Sequence, residues 1–217
     1  MSTLMQDNFT DNDPDGLPWD SGLTVGTVSE TGGVLSATIV NSGQDYIAKT
    51  LLGHYPDYWM EFMVRVPSAG FSFGDATWIT FAELYNGTDA IDQFWLYLSN
   101  SGVVWQTACR DDDSYDYSSS GFSPSLDTWY TIRAYYKFST APGADNGIRR
   151  LWIDDMDTPV IDVTNLDNDL DINDALTVVL GNVWTDGSTA AGTFEYKSFR
   201  LWTGEDRVRW PFPSFLG

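Results

Sequence analysis

Apolar side chains recur at every second position along several stretches of this chain. That period constrains the fold more than any other feature, because successive side chains of a β-strand point to opposite faces of its sheet. From Tyr58 to Val66, one face carries Tyr58, Met60, Phe62, Val64 and Val66, and the other carries Trp59, Glu61, Met63 and Arg65. From Trp129 to Phe138, Tyr130, Ile132, Ala134, Tyr136 and Phe138 alternate with Thr131, Arg133, Tyr135 and Lys137, a second face that is polar yet aromatic. Each pattern predicts a strand with one face in a core. Further strands are predicted at 33–40, 46–52, 76–84, 92–99, 102–109, 147–154, 158–163, 176–184 and 193–202, separated by clusters of Gly, Asn, Asp, Ser and Pro. No stretch sustains a 3.6-residue period over the length of a helix, so no long helix is expected. Strands this numerous and evenly spaced indicate an antiparallel sandwich or barrel, and no linker or repeat divides the 217 residues, which predicts one domain over 1–217.

Charge narrows the partners. The formal net charge is -20, and phosphate recognition needs clustered Lys and Arg to displace counterions, so nucleic acid is excluded as a partner. No apolar run approaches the roughly 20 residues that cross a bilayer, so no membrane partner is expected. The N-terminus has neither a basic region nor an apolar one, which predicts a protein made and used without export, or one whose leader has been trimmed. A lone cysteine, Cys109, forms no disulfide within the chain and reads as a buried core thiol.

Several segments together resemble the concanavalin A-like lectin/glucanase superfamily, in particular its laminin-G-like branch. The opening 7–16, with Asp7, Phe9 and an acidic turn before Trp19, resembles the entry strand of such domains. Trp129-Tyr-Thr-Ile-Arg133 and Gly147-Ile-Arg-Arg-Leu-Trp-Ile-Asp-Asp155 resemble a central strand and hairpin, and 194–202 resembles a last strand that pairs beside the first. The resemblance implies an all-β, antiparallel jelly-roll sandwich of two stacked sheets. It implies little about activity, since the fold hosts lectins, hydrolases, lyases and viral proteins.

Catalytic signatures of that superfamily are sparse here. The Glu-x-Asp-x-x-Glu string of its glucanases does not occur, and Glu61 and Glu83 stand alone on their predicted strands. The Arg-Ser/Thr-Glu-Leu and Gln-Ile/Val-His strings of alginate lyases are also missing, and the only histidine, His54, reads as a turn residue. On these grounds the chain is expected not to be an enzyme.

Binding chemistry is better represented. Ten tryptophans and 15% aromatic residues exceed what a sandwich core demands. Rings beside polar groups suit the flat C–H faces and hydroxyls of sugars. Trp95, Tyr97, Trp105, Arg133, Tyr135 and Trp152 are the candidate carbohydrate contacts, the competing account being a second core layer or a protein interface. Asp11, Asp13 and Asp15 fit the Asp-x-Asp-x-Asp-Gly spacing of a Ca²⁺ loop, although Gly22 stands where an EF-hand has a bidentate Glu; the alternative is a turn rich in Asx bonds. The tail 207–217 is apolar and aromatic, and Pro211 and Pro213 bar it from an interior strand. It is therefore expected to dock in an extended form through Trp210, Phe212, Phe215 and Leu216, onto a virion or self subunit.

A missing export signal, a missing disulfide and a lectin-like sandwich together fit a non-catalytic structural protein on the surface of a phage-like particle, made in the host cytoplasm and able to bind glycan. A free carbohydrate-binding module or lectin, extracellular if a leader was trimmed, is the first alternative. A glycoside hydrolase or polysaccharide lyase is the second.

Overall fold

A computed structural model describes residues 2–20, 23–39, 44–53, 55–76, 78–86, 91–100, 104–111, 114–168, 176–186 and 189–204. In chain order the strands are β1 (Ser2–Asp7), β2 (Ser29–Thr31), β3 (Val34–Thr38), β4 (Asp45–Thr50), β5 (Asp57–Arg65), β6 (Trp78–Asn86) and β7 (Ile91–Ser99). They continue as β8 (Val104–Asp111), β9 (Ser114–Ser119), β10 (Tyr130–Lys137), β11 (Gly147–Ile153), β12 (Ile161–Leu166), β13 (Leu176–Thr185) and β14 (Thr193–Thr203). Among the described residues there is no helix.

All registered strand pairs are antiparallel. One sheet runs β12-β11-β10-β5-β14-β3-β2, with β1 also pairing β14; the other runs β4-β13-β6-β7-β8-β9. The two stack as a jelly-roll sandwich, as the sequence predicts. The closing strand lies beside the opening one, with Gln6 opposite Arg200. Two-residue alternation decides which side chains meet between the sheets. Tyr58, Met60, Phe62 and Val64 of β5 face Phe81, Leu84, Leu96 and Trp105 of the second sheet in one continuous core. Tyr196 of β14 donates its hydroxyl hydrogen bond to the Phe81 carbonyl at 2.9 Å, fastening one sheet to the other.

Arg149 also spans the sandwich. It occupies an inward position of β11 between Gly147 and Leu151, and its side chain has no exposed surface. Its Nη1 donates to the Asp116 carbonyl at 2.7 Å and lies 3.0 Å from Cys109 Sγ, while Nη2 donates to Ser118 Oγ at 2.7 Å and pairs with the Asp116 carboxylate. One buried cation thus holds the β8-β9 edge against β11. Cys109 is a buried thiol outside any disulfide, as its strand pattern predicts.

Candidate functional site

Each sheet has an outer face, and the two present different side chains. On the larger sheet, register aligns two rows across the strands. The first is Trp152, Arg133, Glu61, Arg200 and Gln6; the second is Asp162, Arg150, Tyr135, Trp59, Trp202 and Thr3. Trp59 lies 4.3 Å from Tyr135, 5.7 Å from Trp152 and 5.8 Å from Trp202 between ring centroids, so the rings pack on one another. Arg133 Nε donates to Glu61 Oε2 at 2.5 Å, Arg150 pairs with Asp162 at 2.7 Å, and Arg65 Nε pairs with Glu195 at 2.7 Å. Burial raises the Glu61 pKa, while the Arg133 and Arg200 charges pull it back down. Glu61 and Tyr135 are each 4% exposed, and Trp152 only 8%. On this face the charges and rings are engaged with each other.

The outer face of the second sheet is organised differently. Trp184, Thr80, Tyr97, Gln106 and Ser119 form one row across β13, β6, β7, β8 and β9. Tyr97 donates its hydroxyl hydrogen bond to Gln106 Oε1 at 2.6 Å, which turns the two N–H groups of that amide away from the tyrosine. Burial pushes the Tyr97 hydroxyl up to about 12, with Tyr117 raising it further and Arg149 opposing. Tyr97 and Ala108 form an apolar cluster separate from the main core, so the ring belongs to the outer face. Glu83, on the same face, stands opposite Trp95 in the register and is 5% exposed. It is a diagonal neighbour of Tyr97, a relation that antiparallel geometry sets at roughly 7–8 Å between Cα atoms.

Exposed rings mark the two sides of this floor. Trp78, Trp184 and Tyr117 are 36%, 48% and 59% exposed, and they are the aromatic residues among the exposed large hydrophobics of the described chain. A bulge in the β13-β6 pairing between Leu180 and Trp184 brings Trp184 opposite Thr80 on the outer face. Strict alternation from Leu180, a core residue, would have sent it inward.

The six sugar-contact candidates therefore do not form one site. Arg133, Tyr135 and Trp152 gather on the outer face of the larger sheet, whereas Tyr97 lies on that of the smaller one. Trp95 pairs with Glu83 and Ala108 through its backbone, and its side chain lies outside the described residues. Trp105 requires a correction: it is 2% exposed and packs inside against Phe81, Phe122 and Tyr130. The signal was present in the sequence, because Trp105 shares its strand parity with Cys109, which reads as core. The same parity turns Gln106 outward, and Gln106 was missed.

The acidic loop is built from turns. Asp11 and Asp13 accept hydrogen bonds from the backbone N–H groups of Asp13 and Asp15 at 3.4 and 3.2 Å, and the Gly16 N–H donates to the Asp13 carbonyl at 2.8 Å. Among the described residues, no group of three or more His, Cys, Asp or Glu side chains is arranged to hold a metal ion. Nearby, Glu30 is 5% exposed and accepts from the Asn12 N–H at 2.8 Å. Burial, with Asp11 and Asp7 adding to it, raises its pKa to about 7 against the pull of that N–H. His54, Trp210, Phe212, Phe215 and Leu216 lie outside the described residues.

No protein-family model and no curated protein matches this sequence. Solved structures do. An endo-β-1,4-glucuronan lyase from the fungus Trichoderma reesei aligns with a TM-score of 0.63 at 15% identity, covering 89% of this chain and 94% of its own. An alginate lyase from Pseudomonas aeruginosa aligns with a TM-score of 0.61 at 12% identity, covering 89% and 96%. Further alginate lyases align likewise, one of them in complex with alginate tetrasaccharide and another from a Chlorella virus. The receptor-binding domain of a botulinum neurotoxin aligns with a TM-score of 0.59 at 15% identity, covering 94% of this chain but 48% of that one.

These neighbours overturn the expectation of a non-catalytic virion protein. They are mainly polysaccharide lyases, and they favour the enzyme alternative that the sequence ranks last. At 10–17% identity the likeness is one of fold, and one fold carries many chemistries. The chain has the concanavalin A-like jelly-roll fold of the alginate and glucuronan lyases.

Proposed function

We propose that this protein is a polysaccharide lyase that cleaves a uronate-containing glycan by β-elimination on the outer face of the smaller sheet. The observation that carries the reading is the Tyr97–Gln106 pair, with Glu83 diagonal to it, on a face bordered by exposed rings in a lyase-like fold.

Elimination needs three things: a donor that spreads charge off the uronate carboxylate, a base for the C5 proton, and an acid for the leaving oxygen. The Gln106 amide, its oxygen occupied by Tyr97, offers its N–H groups to the carboxylate. Glu83 takes the C5 proton, the released electron pair forms the C4–C5 double bond, and the C4–O bond breaks. Tyr97, whose pKa of about 12 keeps its proton in place at neutral pH, protonates the departing oxygen. The proton on Glu83 returns through solvent to the tyrosinate, and the cycle closes.

Incubation with polyglucuronate and with alginate, followed by ultraviolet absorbance of the conjugated double bond, tests the reaction. Unsaturated product from either polymer, with none from a neutral glucan, is expected. A panel of uronate polymers that all remain intact would sink the reading.

A further inference from the structure

The row holding the Tyr97–Gln106 pair continues past Thr80 to Trp184, whose ring lies 5.6 Å from that of Trp78 between centroids. Both rings are substantially exposed on the outer face, at 36% for Trp78 and 48% for Trp184. Trp184 is two strand spacings from Tyr97, about 10 Å across the sheet, a distance that spans roughly two pyranose units.

The local scaffold is firmly held. The Trp78 N–H donates to Asp186 at 3.1 Å, and the Asp75 carboxylate accepts from the Thr189 N–H at 2.7 Å and from its hydroxyl at 2.9 Å. These bonds tie the start of β6 to the segment after β13, so the ring pair sits on braced backbone beside the proposed site.

We propose that Trp78 and Trp184 form a sugar-stacking subsite that takes a pyranose ring of the glycan about two units from the scissile bond. The chain would run across the strands, along the row from Trp184 over Thr80 to Tyr97 and Gln106. This rests on the lyase reading for its register, since Tyr97 marks the point of cleavage, but the stacking itself requires only that a glycan lie on this face. Apolar ring faces bind the C–H surface of a sugar whatever its hydroxyl pattern, so the subsite sets a preference for chain length more than for sugar identity. The enzyme is therefore inferred to act inside long chains and to bind short oligosaccharides weakly.

Calorimetric binding of glucuronan and alginate oligosaccharides of increasing length to the wild type, Trp184→Ala and Trp78→Ala tests this. Affinity in the wild type is expected to rise once the oligosaccharide reaches the ring pair, and each variant to lose roughly tenfold of it for long oligosaccharides only. Equal affinity of wild type and variants for long oligosaccharides would overturn the subsite, as would a loss that is the same at every length, or no binding by the wild type. Ring-dependent binding without unsaturated product would keep the subsite while removing the lyase reading, so the two failures are distinguishable.

Discussion

Tyr97 combines a buried phenol, a 2.6 Å hydrogen bond to Gln106 and a pKa pushed up to about 12 by desolvation. A phenol of that kind serves as an acid across the neutral range. Tyr97→Phe is expected to lower kcat by about 100-fold or more, with an unchanged circular-dichroism spectrum, because proton transfer from a positioned group contributes typically 10²–10⁴. An unaltered kcat would remove Tyr97 from the reaction.

Glu30 gives a stability signature instead. Its pKa rises from 4.5 to about 7 on folding, so between those values the folded chain holds a proton that the unfolded chain has released. Stability from this group is full at lower pH and is lost as pH rises toward about 7. Glu30→Gln keeps the side-chain oxygen that faces the Asn12 N–H and removes the titration. Its melting temperature relative to wild type is expected to increase between about pH 5 and about pH 8, by an amount worth roughly 2–3 kcal/mol. A difference that stays flat with pH would refute the assignment.

Among the elements, the β8-β9 edge depends on β11 through Arg149. Asp116 is 38% exposed and regains water if the cation is removed, whereas Arg149 brings four polar contacts into a side chain with no exposure. Replacing Arg149 with Met, of similar length and apolar, is expected to cost about 2 kcal/mol, within the range for hydrogen bonds to a charged group. Amide exchange would rise first in β9, which pairs with β8 alone in the sheet order. Denaturant unfolding and exchange mass spectrometry check both, and uniform protection across β8 and β9 would count against the strut.

Over the whole molecule, the proposed lyase reading sets a net charge of -20 against a substrate that would itself be a polyanion. Salt shortens the range of that repulsion, to about 8 Å at physiological ionic strength. Raising NaCl from about 0.05 M to about 0.3 M is therefore expected to lower KM for a uronate polymer while leaving kcat near its starting value. A KM that climbs with salt would show attraction to dominate, and with it a cationic contact outside the row described above.

The sandwich was legible because β5 and β10 alternate with few interruptions, and alternation alone chooses an inner face for Tyr58, Met60, Phe62 and Val64. The parity of Cys109 likewise determined where Trp105 and Gln106 point. Short strands such as β2, at three residues, and the polar β9 carry too few alternating positions to be read this way. Sequence could not assign Tyr97 and Tyr135 to different sheets, because each merely has an outer face, and strand order is a long-range property. Nor could it foresee Trp184 turning outward, since the bulge opposite β6 shifts the register that alternation assumes. Local periodicity decided which side of each strand is buried. Only the pairing of strands distant in sequence decided which outward residues became neighbours, and hence that Tyr97, Gln106 and Trp184 share a row.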